Sequence, residues 1–375
     1  MNVFKKVISL ALLVVFALFC FVFVFPALPR NVTPERTVAT PVILTLWHVE
    51  SFEGGVGSRA DWLKRRAIEF EKNNQGIFVD VVKLTPEQLS QKLSEGQCFD
   101  LVSFGFGVGE LVANRIAEIS ATTPVFDNLL SAGQMDGKQY AIPYLSGGYL
   151  LAGKSADLQK IQNYVDLKNS VFDCSIQKTV GKKEKKLYSV LLGYSKYCSP
   201  MTSLATLADK AQNFSVIFAE KTLTQYGAYE KFLQGDVATV LLGSQRDYWR
   251  LSNRQKNGKI GEIVYSVVGN YTDLTQYVAI AQSGEREKMK LSNDFANFLL
   301  IKSVQAKASD VGMLSVWLDD IYDDGVMAQL QTGLKEVSLP NVFATQSVVR
   351  QMYEESVQVI KTGEKNLLKK YIRLY

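Results

Sequence analysis

Histidine, the side chain most often used for acid–base and metal chemistry, occurs once in this sequence, at His48. A multi-histidine metal site therefore cannot form, and no second histidine can act as a general base. His48 follows an apolar run beside a glycine-rich segment, where a hydrogen-bonding or purely structural role is favoured over a catalytic one. The acidic residues 319–325 could imitate a calcium loop, but their spacing does not fit the EF-hand pattern and favours a solvated turn. No metal or other cofactor is predicted.

Catalytic signatures built from glycines and carboxylates are also weak. The glycines of residues 105–110 (GFGVGE) are spaced as G-x-G-x-G, which fits neither the dinucleotide-binding fingerprint nor the P-loop. Glu50, Glu53 and Asp100 lie near strand ends and could form the carboxylate pair of a glycosidase, but no sequence feature singles them out. The residues favour binding over catalysis, and a secreted glycosidase is the least favoured class.

Two segments combine glycines with flat aromatic side chains, as expected of ligand loops. They are residues 47–55 (WHVESFEGG), after the first predicted strand, and residues 104–110 (FGFGVGE), after the third. In a parallel sheet, ligands are held by loops beyond the carboxyl ends of the strands, and glycine lets the backbone approach closely. The aromatic rings either face a ligand or serve only as core, and both interpretations are open.

Alternating strands and helices position these loops. Ser58 with Asp61 resembles a capping box. A second helix should begin at Thr85-Pro86, with Gln88 able to reach back to the cap, and end at Gly96. This pattern indicates an α/β protein with mostly parallel sheets covered by helices on both faces. The elements that the pattern predicts are strands at residues 42–47, 77–84 and 100–107, and helices from residues 58 and 86.

The chain is long enough for two lobes, since it has 375 residues of which 47% are hydrophobic and 21% charged. Asp136-Gly137 predicts a hairpin, and Pro143 with Gly147-Gly148 breaks the returning strand before a new one at Tyr149. We expect the chain to cross between lobes there, at the base of a cleft that closes by a hinge. Two further crossings are expected near residues 268–276 and 314–322. The predicted boundaries are residues 42–145 and 272–318 for lobe 1, and residues 146–271 and 319–375 for lobe 2.

The N-terminal region predicts a membrane segment. Residues 7–25 carry no charge and would reach about 28 Å as a helix, close to the thickness of the hydrocarbon core. Lys5 and Lys6 precede this run and should remain in the cytoplasm, which places the rest of the chain outside. Residues 1–29 are an uncleaved anchor or a signal segment, and the poor cleavage site favours the anchor. Residues 30–41 form a proline-containing linker.

Charge and cysteine content restrict the partners and the covalent links. The net charge is +5, and the positive residues are scattered apart from KKEKK at residues 182–186, which we expect to be a solvated loop. Nucleic acid is therefore not a predicted partner. In an oxidising compartment Cys174 and Cys198 are the only plausible disulfide pair, and the alternative is that they are buried thiols.

Several segments in the same order resemble the family 1 extracellular solute-binding proteins of ABC importers, a family that includes maltodextrin-binding proteins. The resemblance covers about residues 42–316. It departs from the family pattern at residues 243–249 and 269–276, where the family often has Gly-Pro-Trp and a glycine-rich proline loop, so the ligand cannot be carried over. The segments are LTLWH (44–48), IEFEKNNQGIFVDVV (68–82), FDLVSFG (99–105), DGKQYAIPY (136–144) and YEKFLQGDVATVLLGSQRDYWRLS (229–252), followed by a late helical region (277–316).

The resemblance implies a two-lobe periplasmic-binding-protein fold of type II and a function without catalysis. Such a protein captures a small polar solute, above all a carbohydrate, by hinge closure and delivers it to an ABC permease. The alternative is a regulatory module of the same fold that senses a solute or binds another protein without transport.

A sugar site needs flat aromatic faces and a hydrogen-bonding rim in a largely preformed cleft. The alternative for Tyr248 and Trp249 is that they begin a helix and pack in the core of lobe 2. The predicted ligand-binding residues are Trp47, Phe106, Tyr248 and Trp249 as stacking faces, Glu50, Gln245, Arg246 and Asp247 as the polar rim, Tyr144 and Tyr149 at the cleft base, and Tyr271 on one side.

Overall fold

The computed structural model describes residues 13–18, 41–158, 175–180, 183–193, 195–207, 225–235, 238–362 and 364–372. The chain divides into two compact units, Met1–Pro41 and Val42–Tyr375. Residues 13–18 of the first unit are helical. None of the helices in the described ranges is long and apolar enough to cross a membrane. The predicted anchor at residues 7–25 falls mostly outside those ranges and stays a prediction, as does the linker.

Helices and strands alternate through the second unit. The strands are β1 (Val42–Val49), β2 (Ile77–Leu84), β3 (Leu101–Gly105), β4 (Gln134–Met135), β5 (Lys138–Gln139), β6 (Ile142–Leu145), β7 (Tyr149–Gly153), β8 (Ser175–Val180), β9 (Lys183–Leu192), β10 (Ala238–Ser244), β11 (Val264–Val268) and β12 (Gln276–Ile280). The α-helices are α1 (Arg59–Asn73), α2 (Pro86–Ser94), α3 (Asp127–Ser131), α4 (Ser155–Leu158), α5 (Pro200–Leu207), α6 (Gln225–Gln234), α7 (Gln245–Lys256), α8 (Arg286–Phe298), α9 (Lys302–Gln305), α10 (Gly325–Gly333) and α11 (Gln346–Thr362).

The local signals for the first helices and for the hairpin are confirmed. Ser58 caps α1, where its side chain accepts a hydrogen bond from the Asp61 amide. Thr85 caps α2 in a reciprocal capping box with Gln88. β4 and β5 form the predicted hairpin, and the turn has positive φ at Asp136 (50°) and Gly137 (78°), as a type I′ turn requires.

The first sheet has the strand order β2-β1-β3-β12-β6. β1 pairs in parallel with β2 and β3, whereas β12 pairs antiparallel with β3 and β6. Side chains of β1 alternate between two buried cores: Leu44 and Leu46 belong to the core that includes α1, and Trp47 and Val49 to the core that includes α2.

The second sheet has the strand order β11-β7-β10-β9-β8. Only the β10–β9 pairing is parallel; β7 pairs antiparallel with β10 and β11, and β8 with β9. The prediction of mostly parallel sheets is therefore wrong, because the strands that carry the chain from one sheet to the other enter in the opposite direction. The expected loop at the lysine-rich run is also wrong, since residues 183–186 belong to β9, where pairing with β8 overrides their polar character.

Two segments connect the sheets, and the first of them pairs with Leu314. Residues 146–148 lead from β6 to β7, and residues 269–275 lead back from β11 to β12. Ser146 and Leu314 exchange backbone hydrogen bonds of 2.9 and 2.7 Å. A Cβ atom on Gly147 would lie 2.7 Å from the Gln245 amide group and 2.8 Å from Leu274 Cβ, so a larger residue would force these neighbours to move.

Candidate functional site

A cavity of about 530 Å³ lies beyond the carboxyl end of β1. Most of its wall is formed by residues 50–58, the glycine- and aromatic-containing segment between β1 and α1. Arg59, Lys83, Ser195 and Arg250 complete the wall. Its size and position are those of a small-molecule site in an α/β fold.

Arg59, the first residue of α1, is the most deeply buried cation in this wall. Its side chain is 2% exposed, and its guanidinium carbon lies 4.2 Å from the centre of the Phe52 ring. Nη2 donates a 2.6 Å hydrogen bond to the Phe52 carbonyl, whereas Nε and Nη1 have no hydrogen-bond partner. Burial lowers the pKa of Arg59 from its ordinary value, an effect that the nearby Tyr144 and Glu50 oppose. Gly54 packs against the guanidinium, because a Cβ there would lie 3.2 Å from Nη1.

Glu50 forms the wall next to β1 and β2, and the fully buried His48 lies beside it. The Glu50 carboxylate forms a 2.8 Å ion pair with Lys83 Nζ and lies 4.0 Å from His48 Nε2. Burial, with smaller contributions from Arg59 and Lys83, holds the pKa of His48 well below its usual range, so the ring is neutral at neutral pH. Its Nδ1 lies 2.9 Å from Ser103 Oγ. His48 is a hydrogen-bonding residue beside the cavity.

Ser103 connects that histidine to the predicted cleft base. Its Oγ lies 2.7 Å from the Tyr144 hydroxyl and accepts a 2.9 Å hydrogen bond from Gln276 Nε2. Tyr144 is fully buried and stacks on Trp62 at 6.1 Å. The predicted Tyr144 therefore belongs to a buried network and does not line the cavity.

An ion-pair cluster joins the loop after β1 to the helix after β10. Arg246 is 1% exposed; it donates to Glu53 through Nη1 and, at 2.7 Å, to Asp247 through Nη2. Arg250 Nη2 lies 3.5 Å from the same Glu53 carboxylate. Burial alone would lower the pKa of Arg246, but the Asp247 and Glu53 carboxylates together raise it. Since β1 and β10 belong to different sheets, Glu53 links the two halves of the fold across the cavity.

The polar residues predicted for lobe 2 are occupied by protein partners. Asp247 Oδ2 accepts a 2.9 Å hydrogen bond from the Ser244 amide at the start of α7. Gln245 is fully buried, and its Oε1 accepts a 3.1 Å hydrogen bond from the Gly148 amide. Together with Arg246, these residues lie at the junction of the two sheets.

Tyr248 and Trp249 lie in the first turns of α7, as the alternative interpretation held. Tyr248 is 6% exposed, donates a hydrogen bond to Asp324 and meets Tyr265 edge to face at 4.8 Å. Trp249 is partly buried against the core and packs against Gly312, where a Cβ would lie 2.8 Å from its ring. Neither residue lines the cavity at residues 50–58.

Trp47 and Phe106 are core residues in this structure. Trp47 is 3% exposed and packs at 5.2 Å against Phe99, with Lys92 of α2 over its ring. Successive residues of a strand face opposite sides, so Trp47 points away from the side that carries His48 and Glu50. Phe106 is 4% exposed. Their predicted stacking roles have no supporting contact here.

Tyr149 and Tyr271 converge on a buried carboxylate that sequence reasoning missed, Asp273. Tyr149 donates to Oδ1 at 2.5 Å, while Tyr271 and Tyr353 donate to Oδ2 at 3.2 and 3.1 Å. The Ser199 amide adds a 2.8 Å hydrogen bond. Burial raises the pKa of Asp273 to about 6, although these donors favour its ionised form. Asp273 lies in the connection from β11 to β12, so this cluster fixes the junction between the sheets.

Sequence reasoning also missed Arg59, although the Ser58 cap places it at the start of α1 beside the loop. The described ranges contain no group of three or more potential metal ligands. Cys198 is buried, its Sγ lies 3.3 Å from Ser195 Oγ, and burial with the Asp273 charge raises its pKa to about 12. Cys174 lies outside the described residues, so the disulfide stays a prediction.

Several solved structures are similar to this chain. The sugar-binding protein MalE from Xanthomonas citri matches with a TM-score of 0.60 and 16% identity, covering 88% of this chain and 95% of that one. The GacH receptor of Streptomyces glaucescens, solved unliganded and with acarbose, matches with a TM-score of 0.56 and 12% identity over 88% and 99%. Thiaminase I from Bacillus thiaminolyticus matches with a TM-score of 0.55 and 11% identity over 85% and 99%, so an enzyme shares the fold.

No protein-family model and no curated protein matches the sequence. At 11–16% identity the structural matches establish the fold alone. The chain has the α/β fold of the two-lobe periplasmic binding proteins, which confirms the coarse fold prediction and supports the resemblance seen in the sequence segments.

Proposed function

We propose that this chain is an extracellular solute-binding protein of family 1 that captures a carbohydrate by hinge closure. The observation that carries the proposal is the cavity at residues 50–58, which Arg250 and the Glu53–Arg246 link border from the side of the second sheet. Ligand would stabilise the closed arrangement through contacts that it makes better there than in the open one. The solved sugar-binding proteins of the same fold support this choice of ligand class.

Binding is tested on the full chain in a mild detergent, with a thermal-shift screen against mono- and oligosaccharides and calorimetry of any hit. A ligand at 100 times its Kd stabilises the folded state by about 2.7 kcal/mol, which is readily detected. A panel of amino acids serves as the negative control. A shift with amino acids and none with saccharides would contradict the carbohydrate proposal.

Absence of catalysis is part of the proposal. Any saccharide that binds should be recovered unchanged after prolonged incubation, as chromatography of the mixture will show. Conversion of the ligand would instead assign an enzyme on this fold.

Delivery to an ABC permease rests on the resemblance. Deletion of the gene should abolish uptake of the labelled ligand while leaving uptake of an unrelated solute intact. Unchanged uptake together with lost transcriptional response to the ligand would favour the sensing alternative.

We further propose the anchored topology, with residues 1–29 in the membrane, residues 30–41 as linker, and the lobes outside the cytoplasm with the predicted boundaries. The full chain should fractionate with membranes and keep its N-terminal residues, and residues 30–375 should be released into the soluble fraction. A mature chain that begins near Leu28 would contradict the anchor.

A further inference from the structure

We propose that the cavity at residues 50–58 holds an anionic group against Arg59, so that the captured solute is an acidic saccharide. The shared chemistry is a sugar that carries a carboxylate, sulfate or phosphate. This inference rests on the proposed function and names the ligand class of the same site.

The first argument is the unsatisfied charge of Arg59. The side chain is 2% exposed, and two of its three guanidinium nitrogens have no hydrogen-bond partner. No carboxylate within the described residues forms an ion pair with it. A buried charge that no carboxylate compensates costs free energy, which a bound anion would offset.

Arg66, on the same helix, shows what a structurally paired arginine looks like here. It is also buried, at 3% exposed, and it stacks over Trp62 at 5.3 Å. Its Nε and Nη1 also have no hydrogen-bond partner, but its Nη2 lies 3.1 Å from the Glu69 carboxylate, so its charge, unlike that of Arg59, is compensated within the helix. Arg66 does not line the cavity, whereas Arg59 does.

The second argument is the balance of charge in the wall. Three cations, Arg59, Lys83 and Arg250, face two carboxylates, Glu50 and Glu53. Glu50 is paired with Lys83, and Glu53 is shared between Arg246 and Arg250. Both carboxylates are therefore neutralised by other residues, and the remaining charge of the wall is that of Arg59.

The third argument is the backbone. Arg59 and Ala60 are the first residues of the 15-residue helix α1, whose initial N–H groups have no acceptor within the helix. A helix N-terminus favours an anion, and Lys83 in the same wall adds a further positive charge.

The size of the cavity indicates that the anion is part of a larger solute. A volume of about 530 Å³ is in the range of small-molecule sites and exceeds the needs of a lone oxyanion. Ser51, Ser58 and Ser195 add hydroxyl groups to the wall, and the buried Ser51 Oγ has no partner. Hydroxyls beside a guanidinium suit a polyhydroxylated ring that carries an acidic group.

The test compares matched ligands on the full chain at constant ionic strength: galactose with galacturonate, glucose with glucuronate and glucose 6-phosphate, and a neutral with an acidic trisaccharide. Inorganic phosphate and sulfate are measured alone. We expect the acidic member of a pair to bind more tightly and its affinity to fall as salt is added. Comparing the affinity for uronates with that for phosphorylated sugars distinguishes a carboxylate from a phosphate as the acidic group.

Arg59→Gln should weaken the acidic ligand about 10- to 100-fold, as expected for loss of charge-assisted hydrogen bonds, and leave the neutral one unchanged. Arg66→Gln is the matched control and should leave the ratio of acidic to neutral affinity as in the parent. Because Arg59→Gln could fail to fold, Lys83→Gln, on a side chain 54% exposed, gives a second measurement with a smaller loss of two- to fivefold.

Equal affinity for the neutral and acidic members of every pair would overturn the inference and leave the proposed function standing. Failure of all saccharides and of both inorganic anions would overturn both. Binding of phosphate or sulfate alone through Arg59, without any saccharide, would support the anion subsite and overturn the carbohydrate proposal.

Discussion

The Glu53–Arg246 contact should control how far the two halves of the fold are closed before ligand arrives. Glu53 belongs to the loop after β1, and Arg246 to α7 after β10, so the contact exists only when the loop and the helix are together. Glu53→Gln removes the charge and keeps the size of the side chain. Arg246 retains its 2.7 Å contact with Asp247 and is not left without a partner.

The magnitude follows from burial. A hydrogen bond between charged groups contributes about 1.5–3 kcal/mol, and solvent screening at Glu53, which is 50% exposed, reduces this to about 1–2 kcal/mol. The closed-to-open ratio of the unliganded chain should therefore fall about 5- to 30-fold. Ligand affinity should fall by no more than the same factor, since in the proposed hinge mechanism the closed state is the one that binds tightly.

Distances between spin labels on β2 and β8, measured without ligand, report the opening directly. Glu69→Gln is the control, because Glu69 also has two cationic partners, Arg66 and Lys307, but on the side of the first sheet only. An unchanged distance distribution in Glu53→Gln would refute the reasoning, as would an equal change in the control.

Three further predictions concern the junction and the core. The pKa of Asp273 is raised to about 6 in the folded state, so this carboxyl contributes stability below about pH 4 and that contribution is lost as the pH rises through about 6. Asp273→Asn should therefore remove a pH dependence on the order of 3 kcal/mol from the unfolding free energy measured in urea. A parent protein whose stability is flat between pH 4 and 6 would contradict this. Trp47→Ala should cost about 3–5 kcal/mol of unfolding free energy, seen as a lower urea midpoint, because it leaves a cavity under α2; a midpoint equal to that of the parent would show that the residue is not core. Gly147→Ala should destabilise the chain by about 1–3 kcal/mol in the same assay, since its methyl group meets Gln245, and a neutral result would mean that the junction can yield.

Short-range features of this fold could be predicted from the sequence. The caps at Ser58 and Thr85 and the turn at Asp136-Gly137 depend on residues at most three positions apart, and each formed as expected. The strand directions could not be predicted from local sequence, because β12 joins its sheet beside β3, which is more than 150 residues earlier in the chain.

The candidate site was predicted only in part. The segment after β1 lines a cavity, and Glu50 is in its wall. This segment could be predicted because strand ends and glycines are visible in the sequence. Trp47 lies in the core beside α2, because successive side chains of β1 face opposite sides of the sheet. Residues 149, 199 and 353 donate hydrogen bonds to Asp273. Because these donors are far apart in the sequence, no local pattern predicts the cluster.

The hydroxyl of Ser103 determines which ring nitrogen of His48 carries the hydrogen. A hydroxyl donates one hydrogen bond and accepts two, and Gln276 already donates to this one. If Tyr144 donates as well, Ser103 must give its own proton to His48 Nδ1, and the ring then carries its hydrogen on Nε2, 4.0 Å from Glu50. If His48 Nδ1 instead donated to Ser103 and Ser103 donated to Tyr144, the Tyr144 proton would have no acceptor in this network. The arrangement in which Tyr144 donates to Ser103 is therefore favoured. Proton order within the buried network thereby sets the tautomer of the only histidine, and it points an N–H group toward the carboxylate that a ligand would meet.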